Sequence, residues 1–317
     1  MQRLTAWTHH GMEQRRLLHD TRAGAGLITG SVFLVATSDA LIKLGSAQFT
    51  VWQLYVVRSA IAIALLLLWL GLSQRSGAWH HLTWDRWTLL RSAALSLMWI
   101  AFYAALPHVS LSLSLAALAL YTAPLFIALL SSWVLREPVS PRRWMAIVLG
   151  FLGVLLILRP TAADFSVMTL LPVLAALLYA VAAVVTRTRC HDRGALSLAL
   201  NLNLCLCLVG AVVLLGHRLL GPSPEPSHDG FLTPHWAPMG TAQWGLMSVL
   251  AVLMVLMSVG VAKAYQIGQS TVVGTFDYSY LLFAMFWGFA LFDEVPDTTM
   301  IVGMGLIAAS GVWVLRG

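Results

Sequence analysis

The chain has 317 residues, of which 59% are apolar and only 10% are Asp, Glu, Lys or Arg, whereas a soluble domain carries roughly a quarter charged residues. That composition excludes an ordinary water-soluble domain. The formal charge of +6 does not call for a nucleic-acid partner, because the basic residues sit in loops between apolar stretches, where anionic membrane lipid attracts them.

A bilayer crossing needs about 20 mostly apolar residues. The first 26 residues contain Arg but no apolar core ahead of a small-residue cleavage site, so 1–26 reads as a cytoplasmic tail and not as a removed signal peptide. Apolar stretches then follow at 27–46, 51–72, 88–106, 112–134, 144–158, 168–186, 195–215, 244–265, 272–292 and 299–315. Closed helices are the architecture such stretches can adopt in lipid, since unpaired backbone cannot face hydrocarbon. The expected fold class is therefore an all-α membrane protein with ten transmembrane helices. Between the seventh and eighth, residues 216–243 contain "GPSPEPSHDG" and "TPHWAP", predicting a flexible periplasmic loop.

Basic residues set the orientation. Of the 19 Lys and Arg, Lys43, Arg159 and Arg218 fall on one side, Arg58 lies within a span, and all others fall on the opposite side. Both termini are thus predicted cytoplasmic, in a bacterial inner (plasma) membrane. Cys190 lies in a predicted cytoplasmic loop and Cys205 and Cys207 inside the seventh span, a placement that suggests neither disulfides nor zinc.

Comparing the chain with itself at an offset of 157 residues places Tyr121 on Tyr278, Leu125 and Phe126 on Leu282 and Phe283, Glu137 on Glu294, and Arg159 on Arg316. In each half a long apolar helix ends in an acidic turn, "LREPVS" or "LFDEVPD", and a Gly-containing helix then ends in "ILR" or "VLR". The expected units are 27–159 and 168–317, joined by 160–167. Five helices in each means that the second half enters from the opposite side, an inverted repeat of the kind common in secondary transporters.

These residues resemble the EamA family of the drug/metabolite transporter superfamily over 27–316. The similar features are "SDALIK" closing the first helix, "VVRSAIA" in the second, "YTAPLF" before "LREPVS", and their echoes "FDYSYLLF" and "LFDEVPD". Leu281 stands where the first half has Pro124, a departure from a symmetric proline kink. The resemblance implies ten helices in two halves and movement of small organic solutes, usually outward and often proton-linked or by exchange. It also implies that Glu137 and Glu294 are structural turns.

An ionisable group within a span usually faces a partner or a watery cavity, which singles out Asp39, Arg58 and Asp277. Asp39 and Lys43 are four apart on one helical face, in the order that favours a pair, and Arg58 enters about 10 Å from the far side. Together they are expected to form a cluster that holds a substrate carboxylate or exchanges a proton at Asp39; the alternative is a permanent ion pair locking the first two helices. Asp277, roughly 8 Å inside the ninth span, reads as a second solute or proton site near Tyr280, or as an acid bonded to neighbouring hydroxyls. Trp99, Phe102, Tyr103, Tyr121, Tyr179, Phe276, Tyr278 and Tyr280 are candidate cavity-lining rings suited to a planar or cationic solute, with packing or interfacial belts as the alternative. Tyr121 and Tyr278, matched by the repeat, lead that set. Small residues at Ala146, Gly150, Gly153, Gly303, Gly305 and Gly311 predict close approach of the fifth and tenth helices.

No HExxH or GxSxG occurs, so neither enzyme nor cofactor is expected. The expected function is alternating-access transport of a small-molecule substrate, by export of amino-acid-like metabolites or drugs. The alternative is uptake of a nutrient or cofactor precursor such as riboflavin or a nucleoside-like metabolite. Membrane lipid is the expected surround, and proton coupling and a homodimer stay open.

Overall fold

The computed structural model describes residues 2–72, 85–105, 120–134, 139–159, 170–220, 231 and 233–316, with backbone alone for 2–19 and 103–105. Its helical segments are α1 (Gln2–Gly45), α2 (Val51–Leu72), α3 (Arg86–Ala105), α4 (Ala123–Val134), α5 (Pro141–Leu158) and α6 (Leu170–Arg189), followed by α7 (Ala195–Leu220), α8 (Thr241–Ile267), α9 (Ser270–Phe276), α10 (Ser279–Phe292) and α11 (Thr298–Arg316). Among the described residues there is no strand.

Eight of these elements are long and apolar enough to cross a membrane: α1 from Asp20, α2, α5, α6, α7, α8, α9 with α10, and α11. This is a multi-pass membrane protein. The other two expected spans overlap α3, which is diluted by Arg86, Thr88, Arg91, Ser92 and Ser96, and α4, only 12 residues long within the described part. With no proline to stop it, one helix runs from Gln2 through the predicted tail and first span to Gly45.

The helices pair across the two halves of the chain. α1 lies on α8, α3 on α6, α2 on α7 and α5 on α11, with further contacts of α1 on α10, α4 on α6, α2 on α8 and α3 on α7. The α5–α11 contact runs through backbone, as the small residues predicted. A Cβ built on Gly153 would stand 2.6 Å from the carbonyl oxygen of Gly303, and one on Gly303 would stand 2.8 Å from that of Gly153. α5 is also sharply delimited: Ser140 accepts from the Arg143 amide and Pro141 opens the helix, while Arg159 closes it at φ 44°.

Both halves contain an interrupted helix at the matched place. Tyr121 and Thr122 form a turn ahead of α4, and Asp277 and Tyr278 form one between α9 and α10. In the second turn the amides of Asp277, Tyr278, Tyr280 and Leu281 each donate to the carbonyl three residues back, a tightening of the helical ladder. The second interruption therefore exists although Leu281 replaces proline.

The expected flexible loop at 216–243 is partly corrected. α7 extends to Leu220, and 231 with 233–240 is docked on the start of α2. There Val51 N donates to the Phe231 carbonyl at 2.9 Å, Thr50 Oγ1 to His235 O at 3.0 Å, and Gln53 both donates to and accepts from the Ala237 backbone. The start of α2 is buried, and the Val51 bond occupies one of the amides that a helix leaves unmatched at its first turn. Residues 221–230 lie outside the described part.

Gly153→Ala is expected to destabilise the protein by about 1–3 kcal/mol, because the methyl group meets rigid backbone. Gly305→Ala, whose Cβ would meet nothing within 4 Å, serves as the neutral control. Thermal midpoints in detergent compare the two; equal midpoints would contradict the contact.

Candidate functional site

The interruption between α9 and α10 places Asp277 inside the bundle, with only 8% of its surface exposed. Its Oδ2 accepts from Tyr265 Oη at 2.6 Å and from Tyr179 Oη at 3.1 Å. Those phenols come from the end of α8 and the middle of α6, and their rings meet edge-on at 6.2 Å. A buried carboxylate needs such donors, since taking it out of water without them is costly.

Asp39, half-buried on α1, accepts from Tyr280 Oη at 2.7 Å. The Tyr280 ring lies 5.9 Å from that of Tyr121, and Tyr121 is within electrostatic reach of both Asp39 and Asp277. The two acids, one from each half, are thus each held by tyrosine hydroxyls, with Tyr121 in electrostatic reach of both. Arg58, buried on α2, supplies a positive charge toward Asp39 and faces the Tyr55 ring at 5.8 Å. Trp287 on α10 donates to Thr37 on α1 at 3.0 Å, two residues before Asp39.

The expected cluster of Asp39, Lys43 and Arg58 is corrected in one member. Lys43 pairs with Glu294 at 2.8 Å, both side chains being more than half exposed, and its ammonium lies 4.0 Å from the centre of the Phe292 ring. The reason is geometric: the end of α10 arrives beside Lys43 with a carboxylate at the surface, while Asp39 turns inward to a phenol.

Tyr278 also departs from expectation as a lining residue. It is fully buried, its ring filling the space beside Gly150, where a Cβ would stand 2.6 Å from that ring. Its place is the α5–α11 interface. Tyr179, Trp99 and Phe102 pack around a cluster that includes Leu95 and Met98 of α3 and Ala175 of α6, and Phe276 joins a second cluster with Tyr265 and Val273. The Tyr103 side chain and the whole of Glu137 and His108 lie outside the described part.

Sequence reasoning missed Tyr265 and Arg91. Tyr265 is 1% exposed, and no periodicity announces that its hydroxyl reaches a carboxylate twelve residues onward. Arg91, counted toward the predicted cytoplasmic side, is 2% exposed, with Nε donating to Thr186 Oγ1 at 2.8 Å. Because α3 begins at Arg86, Arg91 lies more than a turn inside the bundle.

Ion pairs and amide bonds close both ends. At one end stand Lys43 with Glu294 and Arg159 with Asp297; at the other, Asp85 with Arg193. Burial opposes ionisation of Asp85, but bonds from the Thr88 amide and hydroxyl, the Arg193 charge and the Trp87 amide outweigh it, holding the carboxyl below its ordinary range. Beside this pair Gln266 Nε2 donates to the carbonyls of Cys190 and Arg193 at 2.6 and 2.8 Å, and Arg187 donates to the Gln266 carbonyl at 2.6 Å. Among the described residues no group of three or more His, Cys, Asp or Glu is placed to hold a metal ion.

The profile of the EamA-like transporter family matches residues 22–159. Over that stretch the chain is similar to the EamA-like transporter family. Two relatives extend the match past that half. A riboflavin transporter of Vibrio cholerae is 29% identical over 199 residues, covering 62% of this chain and 60% of that protein, which is less than two thirds of its length. The pseudopaline exporter CntI of Pseudomonas aeruginosa is 23% identical over 296 residues, covering 93% of this chain and 96% of the exporter. One solved crystal structure shares the fold, with a TM-score of 0.74 at 18% identity over 92% of this chain and 96% of the other. The family is one of transporters, not of enzymes.

The paired phenols make a graded test of the site. Asp277→Asn keeps an oxygen acceptor and is expected to hold its thermal midpoint near wild type. Asp277→Leu orphans the hydroxyls of Tyr179 and Tyr265 and is expected to cost about 1–3 kcal/mol per buried group left unmatched. A leucine variant as stable as the asparagine one would contradict these hydrogen bonds.

Proposed function

We propose that this protein is a secondary carrier that moves a small organic solute across the bacterial inner membrane by alternating access. The observation that carries the reading is the pair of carboxylates, Asp39 and Asp277, contributed by different halves and held by tyrosine hydroxyls inside the bundle. A carboxylate held by neutral phenols, as Asp277 is, can exchange those donors for a proton or for a cationic group of the solute, because each stabilises it by the same electrostatic means. The surrounding rings offer their faces to the same positive charge or to a planar group.

The inverted-repeat reading draws support from the helix pairings. Exchanging first-half helices for their second-half counterparts turns α1–α8 into α6–α3, α1–α10 into α6–α4, and α2–α8 into α7–α3, all of which occur, while α2–α7 and α5–α11 map onto themselves. The ten-span topology is supported by the ion pairs, which join Lys43 to Glu294 and Arg159 to Asp297 on the predicted periplasmic side and Asp85 to Arg193 on the cytoplasmic side. Both termini are then cytoplasmic.

For the substrate we propose amino-acid-like metabolites or cationic drugs moved outward, in line with the acidic site and with a relative named as a pseudopaline exporter. A second reading, uptake of a flat precursor such as riboflavin, is favoured by the ring density around Tyr121, Tyr179 and Tyr280 and by the relative named as a riboflavin transporter.

Counterflow in proteoliposomes tests both, with labelled amino acids, riboflavin and nucleosides under an imposed pH gradient. Saturable exchange of one class is expected. Asp39→Asn and Asp277→Asn are each expected to lower gradient-driven flux at least about tenfold, the equivalent of about 1.4 kcal/mol. Full flux in both variants would sink the site, and conductance without exchange would replace the carrier by a channel.

A further inference from the structure

We propose that the outward stripe of α11 binds one anionic phospholipid, with the phosphate held by Arg142 and Arg316. A groove of about 580 Å³ is lined by Ala308, Ala309, Val312, Trp313 and Arg316 of α11 together with Arg142 from the first turn of α5. The α11 residues recur at one- and four-residue steps on a single face, all of them exposed. From Ala308 to Arg316 the face runs about 12 Å along the helix axis.

The order of residues along the stripe fits a lipid. Two alanines leave room for an acyl chain, Val312 and the 40% exposed Trp313 come next, and both guanidinium groups stand at one end. A tryptophan ring suits the boundary between hydrocarbon and headgroup, and guanidinium groups bind phosphate oxygens through paired, charge-assisted hydrogen bonds. Arg142 also lies where the α5 macrodipole adds positive potential. Among the described residues neither arginine has a carboxylate partner. A basic pocket of this form on the cytoplasmic side of a membrane helix pair is the kind that takes an anionic headgroup, and the proposed topology puts this end in the cytoplasmic leaflet.

Charge decides against a second copy of the chain as the occupant. A two-fold contact sets the same patch against itself, which would bring these arginines toward one another with no acid on the stripe to offset them.

Native mass spectrometry of the purified full chain, titrated with phosphatidylglycerol or phosphatidylcholine, tests the site without reference to transport or orientation. Wild type is expected to retain phosphatidylglycerol about tenfold more strongly, in keeping with two basic contacts to an anionic headgroup. R142Q/R316Q is expected to erase that preference at unchanged thermal midpoint, and R142K/R316K to keep most of it, because charge and not fold is at stake. Phosphatidylglycerol retention unchanged in R142Q/R316Q would overturn the proposal. So would a dimer in wild type that dissociates in that variant.

Discussion

A carboxylate inside a membrane bundle is the constraint around which the rest of this structure is arranged. Asp277 cannot shed its charge into water, so the fold brings it hydroxyl groups: Tyr265 from the end of one helix and Tyr179 from the middle of another. To meet them, α9 and α10 break where Asp277 sits, and α6 and α8 come within reach of the break. Asp39 meets the same demand more economically, with one phenol and the nearby charge of Arg58. Arg91 is matched in the same way, by the Thr186 hydroxyl.

Much of this was legible from residue type alone. Asp39, Arg58 and Asp277 stand out in the sequence because an ionisable residue among apolar neighbours has so few ways to be tolerated. Their partners were less legible. The pairing of Asp39 with Lys43 rested on a helical spacing worth only about 0.2–0.5 kcal/mol, which a tertiary neighbour easily overrides, and Glu294 is that neighbour. Tyr265 carried no local signal, because its bond depends on how α8 turns back into α9. Arg91 lies within the expected third span, but nothing local names Thr186 of α6 as its partner.

Helix count and limits show the same division. Long apolar runs such as α7 and α8 were readable from hydropathy, while serine, threonine and arginine interrupt α3, and α4 spans only 12 of the described residues. The docking of 231 and 233–240 on α2 was hidden by a composition of Pro and Gly that reads as loop whether or not its backbone finds partners. The interruption at Asp277 was hidden by the absence of proline, although a tightened turn breaks a helix as effectively.

The fit of Tyr278 against Gly150 has a consequence for how this chain can change over time. The ring occupies the volume that any side chain at position 150 would need, so neither residue is free to drift alone. Enlargement at 150 requires shrinkage at 278, the residue that immediately follows the buried acid. Homologous sequences should therefore show these two positions varying in concert, and a substitution on α5 that looks remote from the carboxylate would reach it through a single intervening ring.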